Sequence, residues 1–160
     1  MSTSLAFVCL GNICRSPMAD VVMAAKLADA GLSDQVRVAS SGTASWHRGK
    51  PMDARAAATL SAAGYDPSRH RAQHFTRDWY AENSLLLPMD ASNFADVLEL
   101  APTVEQQSMV RMFRSFDPLA SEGDLDVPDP YYGESDGFIE VLEMIERTTD
   151  RLLPHLNGFL

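Results

Sequence analysis

The residues that point to chemistry lie near the start of the chain, in Cys9-Leu10-Gly11-Asn12-Ile13-Cys14-Arg15-Ser16. A thiol followed at this spacing by a guanidinium suits the capture of a tetrahedral oxyanion. Residues 10 to 15 offer their backbone N–H groups in one tight arc, and such an arc forms a nest for an anion. Gly11 and Asn12 are residue types that tolerate the positive φ the arc needs. Arg15 closes the ring with a bidentate fork on two oxygens. Cys9 then lies at the centre of the cradle, aimed at the bound atom, and the same donors favour its thiolate, the nucleophilic form. Ser16 is positioned to donate its hydroxyl to that sulfur. A thiolate behind a bound phosphate is set for in-line attack on phosphorus, with positioning and charge stabilisation carrying most of the rate. A phosphocysteine would form and water would hydrolyse it. The plainer alternative is a cysteine buried in a strand, a common place for a free thiol.

The flanking sequence must hold this arc between a strand and a helix. Leu5-Ala6-Phe7-Val8-Cys9 reads as a buried strand that Gly11 and Asn12 break. Ser16 reads as a helix N-cap with Pro17 at the first helical position, followed by a helix over 18–30 that Gly31 ends. The helix start adds unsatisfied N–H donors and a positive dipole end to the anion site. Further strands are expected over 36–39, 84–89 and 109–113, and helices over 53–63, 90–100 and 138–156. Asp90 or Ser92 is the expected cap of the helix over 90–100. The stretch 117–137, rich in Asp, Pro and Gly, reads as a long loop. Strands alternating with helices imply parallel pairing with right-handed crossovers. The expected fold is α/β, a small doubly wound sheet with helices on both faces and ligands bound beyond the carboxyl ends of the strands. Cys9 is at such an end.

The chain has 160 residues and no repeat or linker, so residues 1–160 read as one domain. Apolar residues make up 46% and charged residues 22%, a globular mix. Thirteen basic and 22 acidic residues leave a net charge of −9, which disfavours nucleic acid as a partner but not a small anion in a locally positive pocket. No apolar run approaches the ~18 residues of a membrane span. No basic segment precedes the first apolar stretch, as a signal peptide requires. The two cysteines are too few for a disulfide scaffold or a structural zinc site. An intracellular, cytoplasmic protein without metal or other cofactor is expected.

Val8-Cys9-Leu10-Gly11-Asn12-Ile13-Cys14-Arg15-Ser16-Pro17 resembles, almost residue for residue, the signature of the low-molecular-weight protein tyrosine phosphatases. The resemblance continues in family order through Ser40-Ser41-Gly42-Thr43 with Trp46-His47, Asp53-Ala54-Arg55, Gly64-Tyr65 and His70-Arg71-Ala72. It extends through Met89-Asp90 with Ser92-Asn93 to Val127-Pro128-Asp129-Pro130-Tyr131-Tyr132-Gly133, which looks like the family's acid loop. The resemblance implies a four-stranded parallel sheet flanked by helices. It implies Cys9 as nucleophile, Arg15 as phosphate-binding arginine and Ser16 as the group that helps expel the thiolate. It implies Asn12 in a strained left-handed conformation supported by Ser40 and His70, and Asp129 as general acid. Trp46, Tyr131 and Tyr132 match the aromatic walls of the cleft, with Leu10, Gly11, Ile13 and Cys14 in the substrate-binding arc.

An acid is needed because a phenol, with a pKa of about 10, leaves poorly as the anion. Spacing alone does not single out Asp129 from Asp117, Asp124, Asp126 and Asp136, and Asp129-Pro130 with Gly133 also reads as a plain turn. Ile13 offers an apolar floor to an aryl ring, where related phosphoarginine phosphatases carry threonine. Cys14 is either a small side chain packed beneath the loop or a redox partner of Cys9. An arsenate reductase on the same fold would need further cysteines, and none follows Cys14. The substrate implied is a phosphotyrosine-containing protein or an aryl phosphate, with inorganic phosphate and similar oxyanions as inhibitors. His47, Arg48 and Lys50 border the expected cleft. Pro88, just before Met89-Asp90, departs from the family pattern and bears on the sheet edge.

Overall fold

The protein is described by a computed structural model that covers residues 3–159. The central strand β1 (Thr3–Cys9) is buried along its whole length. It pairs in parallel with β2 (Val36–Gly42) on one side and β3 (Leu85–Pro88) on the other, giving the order β2-β1-β3. Alternate side chains of β1 enter two different cores, as the period of a strand dictates. Leu5, Phe7 and Cys9 pack with Met18, Val22, Phe113, Phe138 and Ile145, whereas Ala6 and Val8 pack with Phe75, Tyr80, Leu86 and Val97. Burial on both faces explains why β1 and β3 read as apolar runs, whereas β2, with Arg37 exposed, does not.

Helix α1 (Arg15–Asp29) packs on β1, on β2 and on the long helix α5 (Ser135–His155). Between them α2 (Ala54–Ala62) rests on α5, while α4 (Ala91–Glu99) packs beside β3 with Val97 in the second core. The short helix α3 (Asp78–Glu82) has no counterpart in the sequence reading. Two helix starts follow the expected chemistry. Asp53 accepts from the amides of Arg55 and Ala56, and Asp90 accepts from Asn93 at 2.7 Å, so Asp90 rather than Ser92 caps α4. Gly31 and Gly64 follow α1 and α2 with φ of 72° and 94°. No helix among the described residues is long and apolar enough to cross a membrane.

Two expectations are corrected. The sheet has three strands, not four. The segment expected as the fourth lies between two 3-10 turns, Glu105–Met109 and Phe113–Phe116, which leave too little extended chain for a ladder. Only an isolated parallel bridge between Leu86 and Val110 remains, with the Arg111 amide donating to the Leu86 carbonyl at 3.0 Å. Ser16 is not the N-cap of α1. Cys14 occupies that position without a side-chain bond, and the Ser16 hydroxyl serves the site described below.

The 3-10 turn at Phe113–Phe116 still belongs to the core. The Phe113 ring meets Phe7 edge-on, with centroids 5.4 Å apart and planes at 86°. Phe113→Ala is expected to lower unfolding free energy by about 3–5 kcal/mol in urea denaturation. A change within experimental error would remove this contact from the core.

Candidate active site

The site begins where β1 stops. Cys9 is the last residue of β1 and lies opposite Gly42 in the register, so both strands release their chains at the same level. The loop turns sharply at Asn12, whose φ of 57° makes it the non-glycine residue in the left-handed region among those described. Four groups hold it there. Asn12 Nδ2 donates to Ser16 Oγ (2.8 Å) and Ser40 Oγ (3.0 Å), and its Oδ1 accepts from the Gln73 amide (2.8 Å). The Asn12 carbonyl meets His70 Nε2 at 2.7 Å. A carbonyl only accepts, so the His70 proton is on Nε2. Burial lowers the His70 pKa more than this bond raises it, which keeps the ring neutral and the donor in place.

Gly42 is required for the same close approach. A Cβ there would lie 2.7 Å from the Leu10 carbonyl oxygen and 3.0 Å from the Asn12 nitrogen, both rigid backbone atoms. The absence of a side chain lets the Thr43 and Ala44 amides reach the Cys9 and Leu10 carbonyls at 2.9 Å each. The loop is therefore pinned to the end of β2 as well as to α1.

The Cys9 sulfur is buried and lies 2.9 Å from Ser16 Oγ. Ser16 thus connects Asn12, which donates to its hydroxyl oxygen, with the sulfur that its hydrogen can serve. Arg15 is only 3% exposed. Its Nη1 donates to Asp90 Oδ2 at 2.6 Å and to the Val127 carbonyl at 2.9 Å, and its Nη2 stands 3.6 Å from Asp129 Oδ2. Burial opposes the guanidinium charge, but Cys9, Asp90 and Asp129 together outweigh it and hold the group above its ordinary pKa. Asp90 joins the two structural tasks, with one carboxylate oxygen capping α4 and the other orienting Arg15.

These groups open on a cleft of about 540 Å³, counted to its mouth. Cys9, Leu10, Gly11, Ile13, Cys14 and Arg15 line it together with Trp46, His47, Asp129, Tyr131 and Tyr132. Trp46 is 69% exposed and Tyr132 88%, so both rings stand at the rim, while Tyr131 is set deeper at 39%. The Tyr131 and Tyr132 rings meet edge-on at 5.0 Å. Asp129 Oδ1 accepts from the Tyr131 amide at 3.0 Å, which orients its carboxylate within the turn. Arg55, itself paired with Asp53, donates to the Tyr131 carbonyl at 2.9 Å and lies 5.4 Å from the Tyr131 ring centroid.

Of the residues expected in the site, Cys9, Leu10, Gly11, Ile13, Cys14, Arg15, Trp46, Asp129, Tyr131 and Tyr132 line this cleft, whereas Asn12, Ser16, Ser40 and His70 do not. Those four support the loop through their hydrogen bonds. Both cysteines are free thiols. Burial, followed by the charges of Asp53, Cys9 and Asp129, pushes the Cys14 thiol far above its ordinary pKa, so Cys14 stays protonated beside the loop. The sequence reading missed the supporting roles of Asp90, Gly42, Gln73 and the Val127 carbonyl. A signal existed for Asp90, whose adjacent Met89 marks a strand end, but its pairing with Arg15 spans 75 positions.

Residues 4–158 match the family model for the low molecular weight phosphotyrosine protein phosphatases, and the chain belongs to this family of metal-independent hydrolases. A Streptomyces coelicolor low molecular weight protein-tyrosine-phosphatase is 46% identical over 153 residues, covering 96% of this chain and 93% of that protein. The crystal structure of a protein tyrosine phosphatase from Entamoeba histolytica superposes with a TM-score of 0.92 at 30% identity, over 99% of this chain and 100% of that one. Vibrio vulnificus Wzb, solved in complex with benzylphosphonate, superposes with a TM-score of 0.83 at 26% identity, over 98% and 100% of the two chains.

Two outcomes follow from this geometry. Gly42→Ala is expected to displace the loop and weaken inorganic phosphate binding by roughly tenfold to 10²-fold, since misplacements near 1 Å carry effects of that size. Calorimetric titration checks this, and unchanged affinity would contradict the close approach. Burial raises the pKa of Asp20, on α1, from 3.8 to about 6, against a smaller opposing influence of Ser40. Its charged form is therefore disfavoured in the fold. Its contribution to stability is fully present below 3.8 and is lost as pH rises through 6. Asp20→Asn is expected to be more stable than the parent by about 1–2 kcal/mol at pH 8, with the difference vanishing near pH 4. Thermal unfolding across that range measures it, and a difference independent of pH would contradict it.

Proposed function

We propose that this protein hydrolyses phosphotyrosine in proteins through a phosphocysteine intermediate, and that residues 1–160 form one catalytic domain in the cytoplasm. The observation that carries the reading is the convergence of the Cys9 sulfur, the buried Arg15 guanidinium and the Asp129 carboxylate on one cleft. The phosphoryl group seats in the arc of residues 10 to 15, gripped by main-chain N–H groups and by Arg15. The Cys9 sulfur then attacks phosphorus opposite the ester oxygen. As the P–O bond breaks, Asp129 transfers its proton to that oxygen and tyrosine leaves as the neutral phenol. The sulfur–phosphorus bond is now formed and Asp129 is a carboxylate.

In the second half Asp129 takes a proton from water, whose oxygen attacks phosphorus and displaces the sulfur. The Ser16 hydroxyl, at 2.9 Å, donates to the departing thiolate and makes it a better leaving group. Inorganic phosphate is released with Cys9 and Asp129 restored. The equatorial oxygens carry their charge against the amides and Arg15 throughout, and positioning supplies most of the acceleration. Cys14, held as a thiol, does not compete as nucleophile.

The apolar Ile13 floor and the aromatic rim of Trp46, Tyr131 and Tyr132 favour an aryl ester. A serine phosphate is shorter and leaves its phosphorus away from the sulfur at the bottom. The structure of the Vibrio vulnificus relative in complex with benzylphosphonate, an arylmethyl phosphonate, supports an aromatic phosphoryl ligand. Inorganic phosphate and similar oxyanions compete for the arc. A net charge of −9 disfavours nucleic acid as a substrate.

Cys9→Ser is expected to abolish hydrolysis of phenyl phosphate while retaining inorganic phosphate binding. Turnover at the parent rate would overturn the nucleophile. Asp129→Ala is expected to lower kcat/KM for phenyl phosphate by about 10²–10⁴ and far less for a dinitrophenyl ester, whose leaving group needs no proton. Equal losses for the two esters would remove Asp129 from the acid role.

A further inference from the structure

Arg114, Asp117 and Arg147 form a group of charges that the reaction above does not use. Arg114 is 3% exposed and the Asp117 side chain has no exposure at all. Arg114 Nε donates to Asp117 Oδ2 at 2.9 Å, and Arg147 Nε, from α5, donates to Asp117 Oδ1 at 2.9 Å. The Leu119 amide adds a third bond to Asp117 at 2.9 Å. Burial works to raise the Asp117 pKa, but the bonds from Arg147, Leu119 and Arg114 outweigh it and the carboxylate stays charged. Buried ion pairs seldom stabilise a fold more than apolar packing of the same volume, so stability is a weak reason for this cluster.

Its remaining bonds show what it holds. Arg114 Nη1 donates to the Asp126 carbonyl at 2.8 Å and stands 3.5 Å from Asp124 Oδ1. The Asp126 carboxylate accepts from the Ala91 amide at 2.9 Å, at the start of α4. The next residue, Val127, donates its amide to the Met89 carbonyl at 2.7 Å and offers its carbonyl to Arg15 at 2.9 Å. Two consecutive carbonyls, at 126 and 127, are therefore gripped by two buried arginines, and Asp129 follows two residues later. Arg114 holds the chain at Asp126, and Arg15, which lines the cleft, holds it at Val127.

We propose that Arg114, locked by Asp117 and Arg147, is a positioning residue that sets the entry of the 126–129 segment and hence the aim of the Asp129 carboxyl at the leaving oxygen. The inference rests on the reading of Asp129 as the proton donor. Arg114 touches no substrate and acts only through the backbone at Asp126. Its effect therefore concerns the proton delivered to the ester oxygen, not the seating of phosphate in the arc.

The test compares kcat/KM for phenyl phosphate and for a dinitrophenyl phosphate in Arg114→Met, Arg114→Lys, Asp129→Ala and the double variant Arg114→Lys with Asp129→Ala. Arg114→Lys keeps a charge beside Asp117 but has no planar fork to bond both Asp117 and the Asp126 carbonyl. Both Arg114 variants are expected to lose roughly tenfold on phenyl phosphate, part of the 10²–10⁴ a positioned acid supplies, and less than about threefold on the dinitrophenyl ester. Adding Arg114→Lys to Asp129→Ala is expected to bring no further loss selective for the poor leaving group. Inorganic phosphate affinity is expected to stay within about twofold in Arg114→Lys. Equal losses on both esters in Arg114→Lys, with Asp129→Ala still selective, would overturn the positioning role alone. A lack of selectivity in Asp129→Ala itself would overturn the acid reading instead. If Arg114→Met does not fold, as judged by circular dichroism, Arg114→Lys decides.

Discussion

Asn12 at φ 57° is the constraint on which the site depends. A non-glycine residue in this region is strained by about 1–3 kcal/mol and persists only where its surroundings over-determine it. Here Ser16, Ser40, Gln73 and His70 do so, drawn from α1, the end of β2 and the chain beyond α2. The turn at Asn12 curls residues 10 to 15 round the cleft floor and brings Arg15 to the start of a helix. It also fixes Ser16, whose hydroxyl is shared between Asn12 and the Cys9 sulfur. A relaxed loop would separate the sulfur from the guanidinium and leave the oxyanion donors unaligned.

The second requirement is a positive centre that does not drift. Arg15 is nearly buried, and a lone buried guanidinium would be costly. Asp90 and the Val127 carbonyl satisfy Nη1, leaving Nη2 directed toward Asp129 and the cleft. The same contacts tie the segment that carries Asp129 to the arc of residues 10 to 15, so the two share one frame. Arg55, at the Tyr131 carbonyl, and Arg114, at the Asp126 carbonyl, hold the two ends of that segment. The acid is carried on a loop, yet arginines anchor its ends to the α/β scaffold.

Legibility in the sequence followed distance along the chain. The arrangement of Cys9 to Ser16 is local, so residue types and spacing disclosed that Cys9 and Arg15 would share one tight loop between a strand and a helix. The three strands and four longer helices also followed from local periodicity and from the cap at Asp90, while the capping role of Asp53 emerged only in the structure. Contacts set by the fold were not readable. The Arg15–Asp90 pair and the clearance at Gly42 arise only when strand ends meet. Ser16 has the residue type of a cap, but a nearby sulfur and a buried amide compete for its hydroxyl more effectively than the helix start. The expected fourth strand failed because its apolar pattern also suits a chain running between two 3-10 turns, and Val110 and Phe113 are buried there without a ladder. Asp129 stood out from its acidic neighbours only through the resemblance. In the structure the others have separate tasks: Asp117 pairs with arginines, Asp126 caps onto Ala91, and Asp129 alone of these faces the cleft.

The account stands on a covalent bond between the Cys9 sulfur and the transferred phosphoryl group. Its most direct measurement is rapid quenching of the protein mixed with excess 32P-labelled phenyl phosphate, followed by mapping of the labelled peptide. Label on Cys9 is expected within the first turnover, persisting while inorganic phosphate accumulates and lost once the substrate is exhausted, with none in Cys9→Ser. Label on another residue, or turnover with phosphate passing straight to water and no protein-bound 32P at any time, would contradict it.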